Sequence, residues 1–294
     1  MKLGFIGLGN LGTPIAMNLL ESGHQLNIYN RTVSKTTSLA KRGAVVSESV
    51  ADLAANCDIV FTMVSDDAAL KNICLDNKLL EKLRPGAIHI SMSTILPQTA
   101  LELFHLHNQR QQHYIAAAVF GRPEAAVAKK LNFAVSGEEE LRKNIEPLLK
   151  DAGAMNVWHF GNEVNTANSV KLCGNFLIAS AMEAMGESIN LAKNSGVDVQ
   201  QMWSMFTQTL FNAPVYVNYG NLIIQQKFKP AAFSLKLGLK DVNLVLEHGR
   251  TINQPMPLAQ LLKSNMDRMV DRGLGDLDWS AIGMANKPAS DSVA

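Results

Sequence analysis

The first residues able to do chemistry are Gly7-Leu8-Gly9-Asn10-Leu11-Gly12, a G-x-G-x-x-G between a short apolar run and a helix-like pattern. In that setting each glycine has its own task. Gly7 makes the tight turn, Gly9 lets a pyrophosphate approach the backbone, and Gly12 lets the helix pack closely on the strand. The helix N-terminus then offers free N–H groups and partial positive charge to phosphates. Outside that setting the spacing marks only a glycine turn. About 20 residues further on, at the end of the next apolar run, a carboxylate would bind a ribose 2′-hydroxyl. The chain has Asn30-Arg31-Thr32 there instead. A carboxylate repels a 2′-phosphate, whereas arginine binds one bidentately and Asn and Thr donate hydrogen bonds. The expectation is the phosphorylated dinucleotide NADP(H), with a solvated loop cation as the alternative reading of Arg31.

A nicotinamide cofactor moves hydride, and hydride transfer to a carbonyl leaves an alkoxide that needs a proton. Asn168, Lys171 and Asn175 stand at i, i+3 and i+7 in an otherwise apolar helical stretch, which places them on one helix face. Burying a lysine and two asparagines is costly unless they are used. Lys171 can polarise a carbonyl oxygen and give it a proton, with Asn168 and Asn175 orienting lysine and substrate. From periodicity alone, a stripe facing solvent is as good a reading. Lys236, Lys240 and Asp241 form a second polar cluster, compatible with a surface i, i+4 pattern or with a cofactor or substrate contact. The seven histidines show no metal spacing; His105 and His107 alternate in a polar helix and read as solvent-facing. No metal site is expected.

The elements that must position these residues are legible in outline. Apolar runs at Leu3–Ile6, Gln25–Tyr29, Ala44–Val46, Ile59–Val64, Ala87–Met92, Tyr114–Val119, Asn132–Ser136 and Asn156–Phe160 alternate with helical segments. That alternation predicts parallel βαβ units with helices on both faces. Near Gly161 the pattern changes. From Asn165 to Asn194 the chain has no proline, and apolar residues recur at helical spacing; such a helix is roughly 45 Å long at ~1.5 Å per residue. Segments 198–212, 214–226, 236–252 and 257–272 also read as helices. The expected organisation is a dinucleotide-binding α/β domain over 1–162, an all-helical domain over 163–285 and a disordered tail over 286–294.

Composition excludes several classes. Net charge is +1 in 294 residues, which gives no electrostatic footprint for nucleic acid. Apolar runs fall short of the roughly 20 residues needed to span a bilayer. Cys57, Cys74 and Cys173 are odd in number and lack metal-ligand spacing, as expected of free thiols in a reducing compartment. Met1 leads directly into a strand, leaving no room for a signal peptide. A cytoplasmic protein with a small-molecule substrate is expected.

Taken together, these motifs resemble the β-hydroxyacid dehydrogenase family, which includes 3-hydroxyisobutyrate dehydrogenase and the glyoxylate/succinic semialdehyde reductases and is related to 6-phosphogluconate dehydrogenase. The resemblance covers roughly residues 2–285. GFIGLGNLGTPIAMNL resembles the family's opening signature, and Asn30-Arg31-Thr32 its NADP-using members. By resemblance, Val64-Ser65-Asp66 flanks the cofactor, Ser93-Thr94 lies near the nicotinamide ribose, and Phe233 and Lys240-Asp241 lie near the nicotinamide. Lys171 with Asn175, in KLCGN, matches the family's K-x-x-x-N, whose lysine is the general acid/base. The resemblance implies a Rossmann domain, a long interdomain helix and an all-α domain, assembled as a homodimer or homotetramer.

The departures fall at the substrate. The family's Ala-Pro-Val-Ser-Gly-Gly type loop corresponds to Ala117-Ala118-Val119-Phe120-Gly121-Arg122. Phe120 replaces a hydroxyl donor and Arg122 a small residue. Ser91 stands where an aspartate is common, and Asn165 and Ala167 partly replace glycines before Lys171. Val119, Phe120, Gly121, Arg122, Asn168, Lys171 and Asn175 are the expected substrate-binding set. Three readings follow: an NADPH-dependent reductase of a small β-hydroxyacid or semialdehyde, an imine-reductase-like enzyme, and a nucleotide-binding protein without turnover. Phe211, Asn212 and Tyr216 are candidate pocket walls.

Overall fold

The computed structural model describes residues 1–285, so the expected tail over 286–294 lies outside the described residues. The chain divides into two compact units, the first ending at Lys171 and the second beginning at Leu172.

The first unit is built on one eight-stranded sheet in the order β3-β2-β1-β4-β5-β6-β7-β8. Its strands are β1 (Leu3–Ile6), β2 (Leu26–Tyr29), β3 (Val45–Val46), β4 (Ile59–Thr62), β5 (Ile88–Ser91), β6 (His113–Phe120), β7 (Leu131–Ser136) and β8 (Ala154–His159). Every residue of β1 and β4 is buried, as expected of central strands covered on both faces. The intervening helices are α1 (Gly12–Glu21), α2 (Thr37–Ala40, entered through a 3-10 turn), α3 (Val50–Asn56), α4 (Asp67–Cys74), α5 (Leu79–Lys82), α6 (Pro97–Asn108), α7 (Pro123–Val127) and α8 (Glu139–Asp151). They pack two apolar clusters, one around Phe5, Ile15, Phe61 and Phe133 and the other around Val60, Leu70, Leu103 and Tyr114.

One expectation is corrected here: the sheet is not parallel throughout. β6 and β7 pair antiparallel, with Phe120 opposite Asn132. Residues 121–130 alone connect them, and a parallel crossover needs a dozen or more residues.

β1 pairs with β2 on one side and β4 on the other, both parallel. The chain order reverses there. In an open α/β sheet, the crevice outside the carboxyl ends of strands at such a reversal is where ligands bind.

α9 (Thr166–Asn194) begins in the first unit. Ser136 Oγ fixes its start by donating to Val164 O at 2.7 Å and accepting from Ala167 N at 3.0 Å. The second unit contains the rest of α9 with α10 (Val199–Gln208), α11 (Pro214–Gln225), α12 (Leu235–Thr251), α13 (Pro257–Asp271) and a closing 3-10 segment, Trp279–Met284. That segment lies flat on α9: a Cβ on Gly186 would fall 2.2 Å from Gly283 O. No helix among the described residues is long and apolar enough to cross a membrane.

Candidate active site

The turn after β1 is shaped by contact distances. Gly7 has φ +102°, and a Cβ there would meet Met63 O at 2.1 Å. A Cβ on Gly12 would meet Gly7 O at 2.1 Å, so α1 starts directly against the turn. At Gly9 an added Cβ would find nothing within 4 Å. The loop is therefore closed below Gly7 and Gly12 and open above Gly9, at the start of α1, the shape that a pyrophosphate cradle requires. Leu11 packs against the core, and Asn10 is exposed.

Asn30 ties the turn to β2. Its Oδ1 accepts from Leu8 N at 2.8 Å and its Nδ2 donates to Thr32 O at 2.9 Å. The amide expected to face a phosphate thus shapes the loop instead, while Arg31 and Thr32 are exposed beside it. Two more expected cofactor residues meet each other: Ser93 Oγ accepts from Val64 N at 2.9 Å, joining the loops after β4 and β5. Asp66 caps α4, accepting from Ala69 N at 2.7 Å and from Ser65 Oγ at 2.7 Å. Thr94 is half-buried next to Ser93.

At the end of β6 the Lys171 ammonium lies over the Phe120 ring, Nζ 4.3 Å from the centroid. Gly121 follows at φ +146°, and a Cβ there would fall 2.4 Å from Leu131 Cδ2. Val119 is 3% exposed and belongs to the core. Arg122 Nε is 3.8 Å from Glu124. Asn168 is 1% exposed, and its Oδ1 has no hydrogen-bond partner among the described residues. The stripe of Asn168, Lys171 and Asn175 therefore does not face solvent.

Within the second unit, Asn175 Nδ2 donates to Asp241 Oδ2 at 2.5 Å, and Lys240 Nζ lies 2.6 Å from Asp241 Oδ1. Phe233 stacks edge-on against Trp279, ring centroids 4.9 Å apart. The neighbouring Asp278 carboxylate accepts from Ala232 N at 3.2 Å and Ser280 Oγ at 2.8 Å. Phe211 contacts Tyr216 at 5.0 Å, and Asn212 is exposed.

Residues 2–161 match the family model of the NAD binding domain of 6-phosphogluconate dehydrogenase. Residues 166–284 match that of the NAD-binding of NADP-dependent 3-hydroxyisobutyrate dehydrogenase. The chain belongs to the 3-hydroxyisobutyrate dehydrogenase family. It is 40% identical to the uncharacterized oxidoreductase YfjR of Bacillus subtilis over 96% of this chain and 98% of that one. It is 29% identical to glyoxylate/succinic semialdehyde reductase 1 of Arabidopsis thaliana, covering 96% and 97% of the two chains. A solved structure, the Mycobacterium tuberculosis 3-hydroxyisobutyrate dehydrogenase with L-serine, superposes with a TM-score of 0.87 at 25% identity, covering 98% and 99%. As a 3-hydroxyisobutyrate dehydrogenase family member, the protein is an NAD(P)-binding oxidoreductase.

Two contacts, one in each unit, have no counterpart in the sequence reading. From the sequence Phe120 reads as a hydroxyl lost and an aromatic ring gained in the substrate loop; its contact with the lysine joins residues far apart in the chain and has no local signal. Asp241 was named only as a neighbour of Lys240, although Asn175 and Lys240 share its carboxylate.

His107 is also corrected. It is fully buried, not solvent-facing, whereas His105 is exposed. Its Nδ1 is 2.7 Å from Leu103 O, which can only accept, so Nδ1 carries the proton. Its Nε2 then accepts from His89 Nδ1 at 3.0 Å, and His89 Nε2 accepts from Thr62 Oγ1 at 2.8 Å. Burial holds both imidazoles neutral, lowering His89 well below its usual value and His107 to about 4.

Proposed function

We propose that this protein is an NADP(H)-dependent reductase of small semialdehydes or keto acids of the β-hydroxyacid class, with Lys171 as general acid/base and Asn175 assisting. The single observation that carries this reading is Lys171. It is a half-buried ammonium held on Phe120 at the carboxyl end of β6, in the same unit as the dinucleotide loop.

Gly7, Gly9, Gly12 and the first turn of α1 would hold the pyrophosphate, and Arg31 with Thr32 the 2′-phosphate. The loops joined by Val64 and Ser93 would flank the nicotinamide, with Thr94. A bound reduced nicotinamide supplies a hydride. Lys171 donates its Nζ proton to the oxygen of the substrate carbonyl as that oxygen becomes a hydroxyl, then recovers a proton from water. Asn175, locked to Asp241 one helical turn along α9 from Lys171, keeps an amide on the same helix face to orient the substrate. The matched model of an NADP-dependent dehydrogenase supports the phosphorylated cofactor. The family resemblance also supports assembly as a homodimer or homotetramer.

Phe120 favours a second reading, imine reduction, because it leaves the substrate loop without a hydroxyl at that position. One assay separates them: NADPH oxidation with succinic semialdehyde, glyoxylate, tartronate and methylmalonate semialdehydes, simple aldehydes and cyclic imines. Turnover of a semialdehyde or keto acid well above the imines is expected. Turnover of imines alone overturns the first reading, and tight NADPH binding with no turnover favours a non-catalytic protein.

A further inference from the structure

Phe120 and Lys171 are both held by rigid surroundings. Phe120 is the last residue of β6, paired with Asn132, and Gly121 fixes the turn behind it. Its ring packs half-buried against the cluster of Val60, Leu70 and Tyr114, as does Val170. Lys171 follows Val170 in the first turns of α9, whose start is fastened by Ser136. Lysine has a flexible four-carbon stem, so each contact of its ammonium narrows the positions it takes. The ring supplies one: Nζ is 4.3 Å from the centroid, inside the ~6 Å range over which the ring quadrupole attracts a cation. That attraction acts on the ammonium and not on the neutral amine.

We propose that Phe120 is a positioning residue for Lys171, its ring face holding the ammonium in place and in its proton-bearing form between turnovers. This inference rests on the reading of Lys171 as the proton donor. In each turnover the carbonyl oxygen gains the proton that Nζ loses, and Nζ then takes one from water. The ring favours that recovery, because only the recovered form is attracted to it. An aliphatic side chain of similar size would keep the apolar surroundings and lose the attraction.

The test measures Lys171 protonation without turnover. Competitive acetylation with acetic anhydride across a pH series, read by peptide mass spectrometry, reports the midpoint at which Lys171 becomes reactive. Wild type is compared with Phe120→Leu, Phe120→Met and Phe120→Tyr, with thermal melts and NADPH binding run on each. Removing the aromatic face is expected to lower the midpoint by about half to one pH unit. Phe120→Tyr keeps it. The alkaline fall of kcat/KM for carbonyl reduction moves down by the same amount in Phe120→Leu. Phe120→Met is expected to give the same shift and decides the matter if Phe120→Leu does not fold.

An unchanged labelling midpoint in a folded, NADPH-binding Phe120→Leu or Phe120→Met protein overturns the positioning role and leaves the donor reading standing. Turnover that survives Lys171→Ala overturns the donor reading, and with it the catalytic purpose of the contact.

Discussion

Asn175 donates to Asp241 at 2.5 Å, joining residues 66 positions apart in the chain. Asp241 is 1% exposed, and its other carboxylate oxygen lies 2.6 Å from Lys240 Nζ. Burying a carboxylate is costly unless hydrogen-bond and ion-pair partners satisfy it. Asn175→Ala is expected to destabilise the protein by about 1–3 kcal/mol, the cost of a buried acceptor left unsatisfied. In Asp241→Ala, Lys240 keeps partial access to water, its side chain 22% exposed. The cost expected there is about 2–3 kcal/mol, below that of a fully buried broken pair. Urea denaturation of both single variants and the double variant checks this. A coupling energy of at least ~1 kcal/mol is expected, and strict additivity would mean that the two residues act independently.

Gly9 and Gly12 are expected to separate folding from cofactor binding. A Cβ at Gly9 meets nothing within 4 Å, so Gly9→Ala should melt like wild type. It fills the space that the pyrophosphate needs, and its Kd for NADPH should rise tenfold or more, about 1.4 kcal/mol. At Gly12 the same atom falls 2.1 Å from the Gly7 carbonyl oxygen. Gly12→Ala should lose binding and also about 1–3 kcal/mol of stability through overpacking. Melting curves and fluorescence titration with NADPH read both outcomes. Equal melting temperatures for the two variants would contradict the packing argument.

Arg31 decides the cofactor preference in this account. Arg31→Glu replaces a bidentate donor with a group that repels the 2′-phosphate. A charge-assisted bond contributes about 1.5–3 kcal/mol, so KM for NADPH should rise roughly 10- to 100-fold while KM for NADH stays level or falls. Steady-state kinetics with both cofactors checks this. Equal changes for the two would assign Arg31 to the solvated surface.

The buried pair His89 and His107 sets the acid limit of the fold. Both are held neutral by burial, with His107 down at about 4, so the unfolded chain binds protons that the folded chain refuses. Their contribution is therefore full above about pH 6.5, the unfolded value, and is lost as pH falls toward 4. The slope is about 1.4 kcal/mol per pH unit for each histidine. Urea midpoints between pH 7 and 4.5 should fall steeply, and His107→Gln should flatten the slope. An unchanged slope in that variant would place the acid sensitivity elsewhere.

The strands and the glycine turn were legible because their signals are local. Leu3–Ile6 is an uncharged run of three hydrophobic residues and Gly4 before a glycine turn, and it forms β1 with those limits. The long helix was legible because an apolar period of 3.6 without proline has few other solutions; it runs Thr166–Asn194. The strand direction of β7 was misread although the short connection over 121–130 carried it. His107 was misread because alternation with His105 suggested a polar face. The helical period places it with Ala100 and Leu103, both buried, so a signal was present there too. The Phe120–Lys171 and Asn175–Asp241 contacts had no local signal, since each depends on how distant elements pack. By position Asn30 reads as a cofactor residue, but its amide is committed to Leu8 and Thr32, a pairing that depends on how the turn folds onto β2.

The most direct test of the central claim compares wild type with Lys171→Met on the best carbonyl substrate of the panel, measuring kcat together with the Kd for NADPH. A positioned general acid contributes about 10²- to 10⁴-fold. A loss of kcat in that range with NADPH affinity little changed is the expected result. A kcat within tenfold of wild type, in a protein that still binds NADPH, would contradict Lys171 as the proton donor.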